Sequence, residues 1–278
     1  MTQMKNELHS QPLLEHLKEL KKRVIYCLIA FFAATGVSYY FAVDIYAFLV
    51  QPLADAFPDL SNRRLIYTGL TEAFLTYIKL AVFAGFFASF PIIATQFYLF
   101  LAPGLYKKER HALVPYLVAA PTLFLIGAAF VYYLIFPAAW RFFLGFESNG
   151  LNGGLPIQLE AKVSDYLSLV MHLMMAFGLS FQLPVILVLL VRSGMVELNT
   201  LKKGRRYAIV LIVIVAAFIT PPDIFSQIAL SVPLYLLYEI SILLCRNVNQ
   251  EMEETDSLHD LQAELVTLRD EKIFFEQA

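Results

Sequence analysis

Charged side chains are scarce in this chain of 278 residues, of which 16% are Asp, Glu, Lys or Arg and 59% are hydrophobic. Soluble domains have about 25% charged and about 45–50% apolar residues, so a soluble core would not accommodate this excess. Cysteine is also scarce: Cys27 starts the first apolar run and Cys245 ends the last. Two isolated thiols predict neither a disulfide nor a metal site. The composition indicates an integral membrane protein.

The two ends of the chain hold much of its polar sequence. The first 23 residues lack an apolar stretch ahead of a small-residue cleavage site, so we expect no cleaved signal peptide and interpret the first apolar run as an anchor. Nine of the 23 acidic residues lie between Glu251 and Glu276, which leaves the rest of the chain mildly basic. That balance gives no indication of nucleic-acid binding.

Six continuous apolar runs predict transmembrane helices, since about 20 helical residues cross the hydrocarbon layer of about 30 Å. The predicted spans are 24–43, 74–101, 113–136, 166–191, 207–219 and 228–245. The fifth is too short to cross an average bilayer upright, because its 13 residues reach only about 20 Å. We therefore expect the bilayer to thin there, or water to enter.

The Lys and Arg residues between the spans predict the orientation. Five precede the first span, three lie in 102–112 and five in 192–206, whereas the alternate loops hold two, two and none. By the positive-inside rule, thirteen against four places both termini in the cytoplasm. The chain then divides into a cytoplasmic amphipathic segment (1–23), a six-helix transmembrane domain (24–246) and an acidic cytoplasmic tail (247–278).

The two longer outer loops, 44–73 and 137–165, are not simple connectors. A roughly helical spacing of apolar residues in the first loop predicts a short amphipathic helix that caps the outer mouth of the bundle. These residues are Tyr46, Phe48, Leu49, Leu53 and Phe57. The second loop has Ser-Asn-Gly and Asn-Gly-Gly between 148 and 154, which is typical of turns.

Four of the predicted spans contain a proline, and each proline removes one backbone hydrogen bond and bends its helix. They are Pro91, Pro121, Pro184 and Pro233. A single proline is tolerated in a membrane helix. Four together favour a curved wall over a straight bundle.

The segment before the first span predicts an amphipathic helix at the inner membrane surface. Its apolar stripe is Leu13, Leu17, Leu20 and Val24. Glu15 and Glu19 form an unfavourable like-charge pair at i, i+4, which a cation should offset. One interpretation of Glu19 is an ordinary surface salt bridge with Arg23, also at i, i+4.

Polar groups recur inside or beside the apolar runs. Glu109 sits among three cations in the inner loop, where it is either functional or part of a self-neutralised, solvated loop. Gln182 lies near mid-membrane, where it faces the protein interior and either serves function or satisfies the carbonyl that Pro184 leaves free. Asp223 follows Thr220-Pro-Pro and could cap the sixth span. Glu239 lies about two turns from the inner end of that span and is costly unless paired or hydrated.

Four motifs occur in order along the chain and together resemble the TatC family. Residues 16–20 are His-Leu-Lys-Glu-Leu, and 103–110 are Pro-Gly-Leu-Tyr-Lys-Lys-Glu-Arg. Residues 177–184 are Phe-Gly-Leu-Ser-Phe-Gln-Leu-Pro, and 220–227 contain Thr-Pro-Pro-Asp and Ser-Gln. The resemblance covers about 11–246. It implies an all-α membrane protein with six transmembrane helices in a curved, cup-like bundle in the bacterial inner membrane.

The resemblance also implies a function. The chain would be the signal-peptide receptor and core subunit of the twin-arginine translocase, binding the Arg-Arg motif of folded substrates at its cytoplasmic face and nucleating the translocation complex. Its partners would be the single-span proteins TatA and TatB and further copies of itself. No catalytic activity, cofactor or metal is implied.

Site residues follow from the same resemblance. Glu19 and Glu109 would receive the twin arginines, with Leu20 and Arg23 in the same site, because a carboxylate accepts a planar guanidinium in a bidentate pair. The signal's apolar stretch would run toward Gln182. The positions toward the partners would be Thr220, Asp223 and Gln227, and the intramembrane polar groups would be Gln182 and Glu239.

Two departures from the family pattern matter. Lys21 stands where Arg is common, which should alter little because Arg23 remains. Gln182 stands where the family often has Glu, so we predict a polar rather than a protonatable role in this chain.

Two other functions compete with this hypothesis. A secondary transporter for a small solute also uses proline-broken helices, but the halves show no internal repeat and the charges cluster at the inner rim. This transporter is the alternative function. An intramembrane enzyme needs a nucleophile with a base or a metal cluster. The five scattered histidines provide neither: His9, His16, His111, His172 and His259.

The acidic tail lies outside the resemblance. Its leucines at 258, 261, 265 and 268 have 3-4-3 spacing, which fits either a short amphipathic helix or a disordered solubilising tail. We predict that deleting 250–278 leaves export largely intact. Export of a twin-arginine reporter by the truncated chain measures this, and loss of export would contradict it.

Overall fold

The structure is a computed structural model. It describes residues 2–57, 64–101, 114–148, 155, 157–219, 227–228, 230–248 and 250. For 2–16, 101, 114 and 219 the backbone alone is described. Several predicted features therefore lie outside the described residues. They are Glu109 and its loop, Thr220, Asp223, the turn residues 149–154 and nearly all of the tail.

Long helices make up most of the described chain, with only isolated β-bridges besides. They are α1 (Thr2–Tyr40), α2 (Ala42–Ala54), α3 (Glu72–Leu101), α4 (Val114–Phe130), α5 (Phe136–Leu144), α6 (Val163–Ser180), α7 (Leu183–Arg192), α8 (Leu198–Ile219) and α9 (Leu230–Val248). A π-helical turn, Val131–Ile135, joins α4 to α5. The prediction of an all-helical fold is confirmed over these residues.

Five stretches within the described residues are long and apolar enough to cross a membrane. They are Leu17–Tyr40, Glu72–Phe100, Pro115–Leu144, Val163–Arg192 and Leu230–Val248. The predicted fifth span is the apolar second half of α8, whose first half carries Lys202, Lys203, Arg205 and Arg206. Because of those four cations α8 is not among the five stretches, so the count of six spans stays a prediction.

Two boundaries differ from the predicted ones. The N-terminal segment and the first predicted span form one helix, because α1 runs unbroken from Thr2 to Tyr40. The third span does not end at 136 but continues through the π turn and α5 to Leu144. Pro137 starts α5, where a missing N–H is tolerated, so the apolar helix resumes instead of ending.

The helices pack as antiparallel neighbours. On α1 and α3, Arg23 contacts Gln96, and Thr35 lies beside Gly85. Residue numbers therefore increase along α1 in the direction in which they decrease along α3. On α8 and α9, the Tyr238 hydroxyl donates to the Leu201 carbonyl at 2.9 Å. We call the end of the bundle near Arg23 the inner end and the opposite end the outer end.

The centre of the bundle is built from aromatic rings packed against glycine. Phe124 on α4 is fully buried and stacks on Phe90 of α3, with ring centroids 3.7 Å apart. Gly178 on α6 lies against the Phe124 ring so closely that a Cβ there would overlap it. Pro91 and Pro121 lie inside α3 and α4, whereas Pro184 coincides with the break between α6 and α7.

The predicted amphipathic helix at the outer mouth is confirmed as α2. Phe48 stacks on Tyr132 with the ring planes 2° apart, and the Tyr132 hydroxyl donates to the Phe48 carbonyl at 2.8 Å. The Tyr166 hydroxyl donates to the Leu49 carbonyl at 2.8 Å. Leu49 and Leu53 are buried, so the apolar face of α2 closes the core on this side.

Glu72 joins the two outer loops at the start of α3. One carboxylate oxygen accepts from the backbone N–H groups of Thr68 (2.9 Å) and Gly69 (3.1 Å), and Lys162 lies 3.5 Å from it. The other oxygen accepts from the Ser164 hydroxyl at 2.7 Å. Beside this group, Ile66 pairs with the segment around Lys162 in a parallel β-bridge.

We expect Glu72→Ala to lower the thermal stability of the chain in detergent. The substitution leaves two backbone N–H groups, a hydroxyl and an ammonium without their shared acceptor. Glu160→Ala is the matched control, because its carboxylate is 58% exposed and its only described ion pair, with Arg64, is 4.0 Å long. Equal melting temperatures for the two variants would contradict the inference that Glu72 stabilises the contact between the two outer loops.

Candidate functional site

A carboxylate, a guanidinium and an amide meet where the middle of α1 lies against the last turns of α3. Arg23 donates to Glu19 Oε1 from Nη2 at 2.5 Å and from Nε at 3.1 Å. Its Nη1 donates to Gln96 Oε1 at 3.2 Å. The i, i+4 spacing puts Glu19 and Arg23 on one face of α1, and antiparallel packing brings Gln96 of α3 to that face.

This group remains partly open to its surroundings. The side chains of Glu19 and Arg23 are 37% and 21% exposed, and Leu20 is 38% exposed. The structure places Glu19 and Arg23 in contact, and Leu20 follows Glu19 on α1. It also contains the Glu19–Arg23 pair at i, i+4 that is the alternative interpretation of Glu19.

Sequence reasoning missed Gln96. The signal was present, because an amide stands in the otherwise apolar inner third of a predicted span, four residues before Phe100. Its partner could not be read from the sequence, since Gln96 and Arg23 are 73 residues apart and meet only through helix packing.

Gln182 is buried, 5% exposed, in the break between α6 and α7. Its Nε2 donates to the Ala120 carbonyl of α4 at 2.9 Å, and its Oε1 is buried without a hydrogen-bond donor. The amide therefore links two helices, but through Ala120 and not through the carbonyl that Pro184 leaves free. The prediction that it faces the protein interior is confirmed.

We expect Gln182→Ala to reduce both stability and export, because it leaves the Ala120 carbonyl without this donor and opens a small cavity. The loss should be about 1–3 kcal/mol in the free energy of unfolding. Thermal unfolding in detergent and export of a twin-arginine reporter measure it. Thr122→Ala is the control, because Thr122 is exposed and bonds only within α4. Export equal to wild type would remove any functional role for Gln182.

The Glu239 carboxylate has partners on two helices, in agreement with the expectation that it is either paired or hydrated. It accepts from Arg205 of α8 at 2.9 Å and from the Tyr235 hydroxyl, one turn earlier on α9, at 2.7 Å. Its side chain is 27% exposed. The pair joins the inner ends of α8 and α9, which explains how the apolar span tolerates a carboxylate.

Gln227 is the one predicted partner-facing residue that the structure describes. Its Nε2 donates to the Val213 carbonyl of α8 at 3.2 Å, so it bridges the outer ends of α8 and α9. The two cysteines are free, Cys245 buried and Cys27 partly so. No group of three or more His, Cys, Asp or Glu with metal-binding geometry occurs within the described ranges.

Comparisons with known proteins bear on this arrangement. The family described as "Sec-independent protein translocase protein (TatC)" matches residues 15–233. The chain belongs to the TatC family. A Rickettsia prowazekii (strain Madrid E) protein named Sec-independent protein translocase protein TatC is 49% identical over 231 residues, covering 83% of this chain and 91% of that relative. The Escherichia coli (strain K12) protein of the same name is 41% identical over 85% of this chain and 89% of its own.

Solved structures agree with the TatC assignment. The crystal structure of a twin-arginine translocase receptor TatC superposes with a TM-score of 0.73 at 35% identity, covering 84% of this chain and 99% of that one. A second structure, in the detergent DDM, also gives 0.73 at 36% identity. TatC proteins are membrane components of a protein translocase and not enzymes, so two predictions are confirmed: the family and the absence of an enzyme activity. The small-solute transporter is not favoured.

Proposed function

We propose that this chain is the signal-peptide receptor of a twin-arginine translocase, that it binds the Arg-Arg motif of folded substrates at its cytoplasmic face, and that it nucleates the translocation complex. The observation that carries the proposal is the Glu19 carboxylate, which already holds a guanidinium at the inner end of α1. Glu109 is the second proposed acceptor, from a segment outside the described residues.

Arg23 serves in this proposal as an internal stand-in for a signal arginine. Its guanidinium bonds one carboxylate oxygen of Glu19 through two nitrogens. An incoming arginine offers the same fork, which suits a carboxylate better than a lysine ammonium does. Arg23 can then be displaced while it keeps Gln96, whose Oε1 accepts its third nitrogen at 3.2 Å. When the signal arginine replaces Arg23 at Glu19, both guanidinium groups therefore still have a hydrogen-bond acceptor.

The proposed topology has six spans and both termini in the cytoplasm. Antiparallel contacts bring the start of the first predicted span, at Arg23, to the end of α3, and the start of α8 to the second half of α9. Arg192 donates to the Tyr116 hydroxyl at 3.4 Å, which likewise joins the start of the third span to the end of the fourth. The four basic residues of α8 lie near this same end, in agreement with the positive-inside rule.

The outer half of α8 is the proposed surface for TatA- and TatB-like single-span proteins and for further copies of this chain. Its large apolar side chains are exposed in the isolated chain, among them Val210 (58%), Leu211 (62%) and Phe218 (88%). The apolar part of α8 is only 13 residues long, which is shorter than the hydrocarbon core of about 30 Å. This hydrophobic mismatch favours association with another helix. Thr220, Asp223 and Gln227 are proposed to contact the partners.

Site-specific photo-crosslinking in membranes tests the receptor function. A signal peptide with a photoreactive residue beside its Arg pair should crosslink to the wild-type chain. The crosslink should be lost with Glu19→Ala, with Glu109→Ala and when the peptide's Arg pair is changed to Lys. Glu160→Ala, an exposed carboxylate remote from this site, should crosslink like wild type.

Crosslinking that persists in all three altered combinations would contradict the carboxylate–guanidinium site. A peptide that never crosslinks at the inner end would contradict the receptor function itself. Blue native electrophoresis of the variants separates both outcomes from a failure of the chain to assemble.

A further inference from the structure

A second concave site lies at the outer end, between α2, the π turn and α5, away from Glu19. It is a partly open cavity of about 370 Å³, within the size range of small-molecule sites. Its lining residues include Phe48, Asp55, Tyr132, Tyr133 and Arg141. None of them takes part in the proposed signal-peptide site.

The cavity pairs a cation and an anion that do not neutralise each other. Arg141 has no ion-pair partner among the residues that the structure describes. Among the described residues, the Asp55 carboxylate accepts a side-chain hydrogen bond from Gln51 alone, at 2.7 Å and one turn earlier in the chain. Both side chains are exposed and line the same cavity. Such a site fits a ligand that carries one negative and one positive group.

The backbone beside the cavity departs from regular α-helix. The π turn arises where the Phe136 N–H bonds the Val131 carbonyl five residues back. Pro137 has no N–H to donate, so the Tyr133 carbonyl lacks its usual i+4 donor. π-Helical turns of this kind are frequent at functional sites.

The depth of the cavity indicates what the ligand is. Arg141 lies 25 residues after Tyr116 on the third span, or about 38 Å of helix, which exceeds the about 30 Å hydrocarbon core but not the about 40–45 Å that includes the head groups. Exposed apolar side chains continue toward the hydrocarbon, with Tyr133 67% and Leu134 56% exposed. A phospholipid can place its head group in the cavity and its acyl chains along these residues.

We propose that this cavity binds the head group of a phospholipid that carries a primary ammonium, such as phosphatidylethanolamine. Arg141 holds the phosphate through its planar donors, and Asp55 holds the ammonium through charged hydrogen bonds. The Phe48 and Tyr132 rings form the apolar floor. The leaflet is the outer one if the proposed topology holds, but the binding itself does not depend on the signal-peptide function.

Native mass spectrometry of the purified full-length chain tests this site. The chain is incubated with equal amounts of phosphatidylethanolamine, phosphatidylcholine and phosphatidylglycerol, and lipid retained per chain is measured. Wild type should retain phosphatidylethanolamine best. Arg141→Gln should retain about tenfold less of it, the loss of one hydrogen bond to a charged group. Asp55→Asn should abolish the preference over phosphatidylcholine, whose quaternary ammonium cannot donate.

The controls keep the charge changes but move them outside the cavity. Arg64→Gln and Glu160→Gln alter an exposed pair at the same end of the bundle and should retain lipid as wild type does. All four substitutions are at exposed positions, and size-exclusion profiles and circular dichroism verify folding. Equal retention of the three lipids by wild type, or unchanged retention in Arg141→Gln and Asp55→Asn, overturns the proposal. Soluble glycerophosphoethanolamine should compete only weakly, because it carries the same head group without the acyl chains. Competition as strong as that of the lipid itself would assign the cavity to a soluble ligand and overturn the proposal.

Discussion

Replacing Glu19 by alanine is expected to weaken binding of a twin-arginine signal peptide by about tenfold to a hundredfold, the loss of a hydrogen-bonded charge pair. The reason is chemical. A guanidinium is never deprotonated in a protein, so it must find an acceptor wherever it is only partly hydrated. At the inner end of α1 that acceptor is a carboxylate whose side chain is 37% exposed.

A double-mutant cycle decides between the receptor role of Glu19 and a purely structural salt bridge. Affinity for the signal peptide is measured for Glu19→Ala, Arg23→Ala and the double variant. If Glu19 receives the signal arginine, Arg23→Ala retains or strengthens binding because a competitor is removed. If Glu19 only pairs with Arg23, the two single variants and the double variant lose binding equally, and the receptor role is wrong.

Gly85→Ala is expected to be the most damaging small substitution in the described core. The added Cβ would lie closer than 3 Å to the backbone N and Cα of Thr35 on α1, where no flexible side chain can yield. Overpacking of this kind typically costs about 1–3 kcal/mol, and small residues are what allow membrane helices to approach this closely. We therefore expect a lower melting temperature in detergent and less protein in the membrane.

The same substitution should also impair signal-peptide binding. α1 carries Glu19 and Arg23, α3 carries Gln96, and Gly85 lies where these two helices touch. Gly36→Ala is a close control, because it changes the residue next to Thr35 and a Cβ there meets no atom within 4 Å. A Gly85→Ala chain as stable as Gly36→Ala would show that the contact between α1 and α3 is looser than described.

Much of the architecture could be predicted because the bilayer imposes its own length and polarity on a sequence. Apolar runs of about 20 residues have to be helical in lipid, and the amphipathic spacing around Phe48 and Leu49 predicted α2 correctly. The end of the third span was misplaced at 136. Proline normally suggests a break, whereas Pro137 occupies the first turn of α5, and the π turn before it keeps the helix continuous to Leu144.

The family, the helical class and the identity of the charged groups could be predicted from the sequence, because they depend on residue type and local spacing. Which of these groups meet depends on how the helices pack. Arg23 finds Gln96 across 73 residues, and Gln182 finds Ala120 across 62. Asp55, directly after α2, and Arg141, on α5, line one cavity although 86 residues separate them. These contacts result from antiparallel packing of the helices. Packing depends on side-chain volume at positions such as Gly85 and Gly178, and the spacing of apolar residues in the sequence does not indicate those positions.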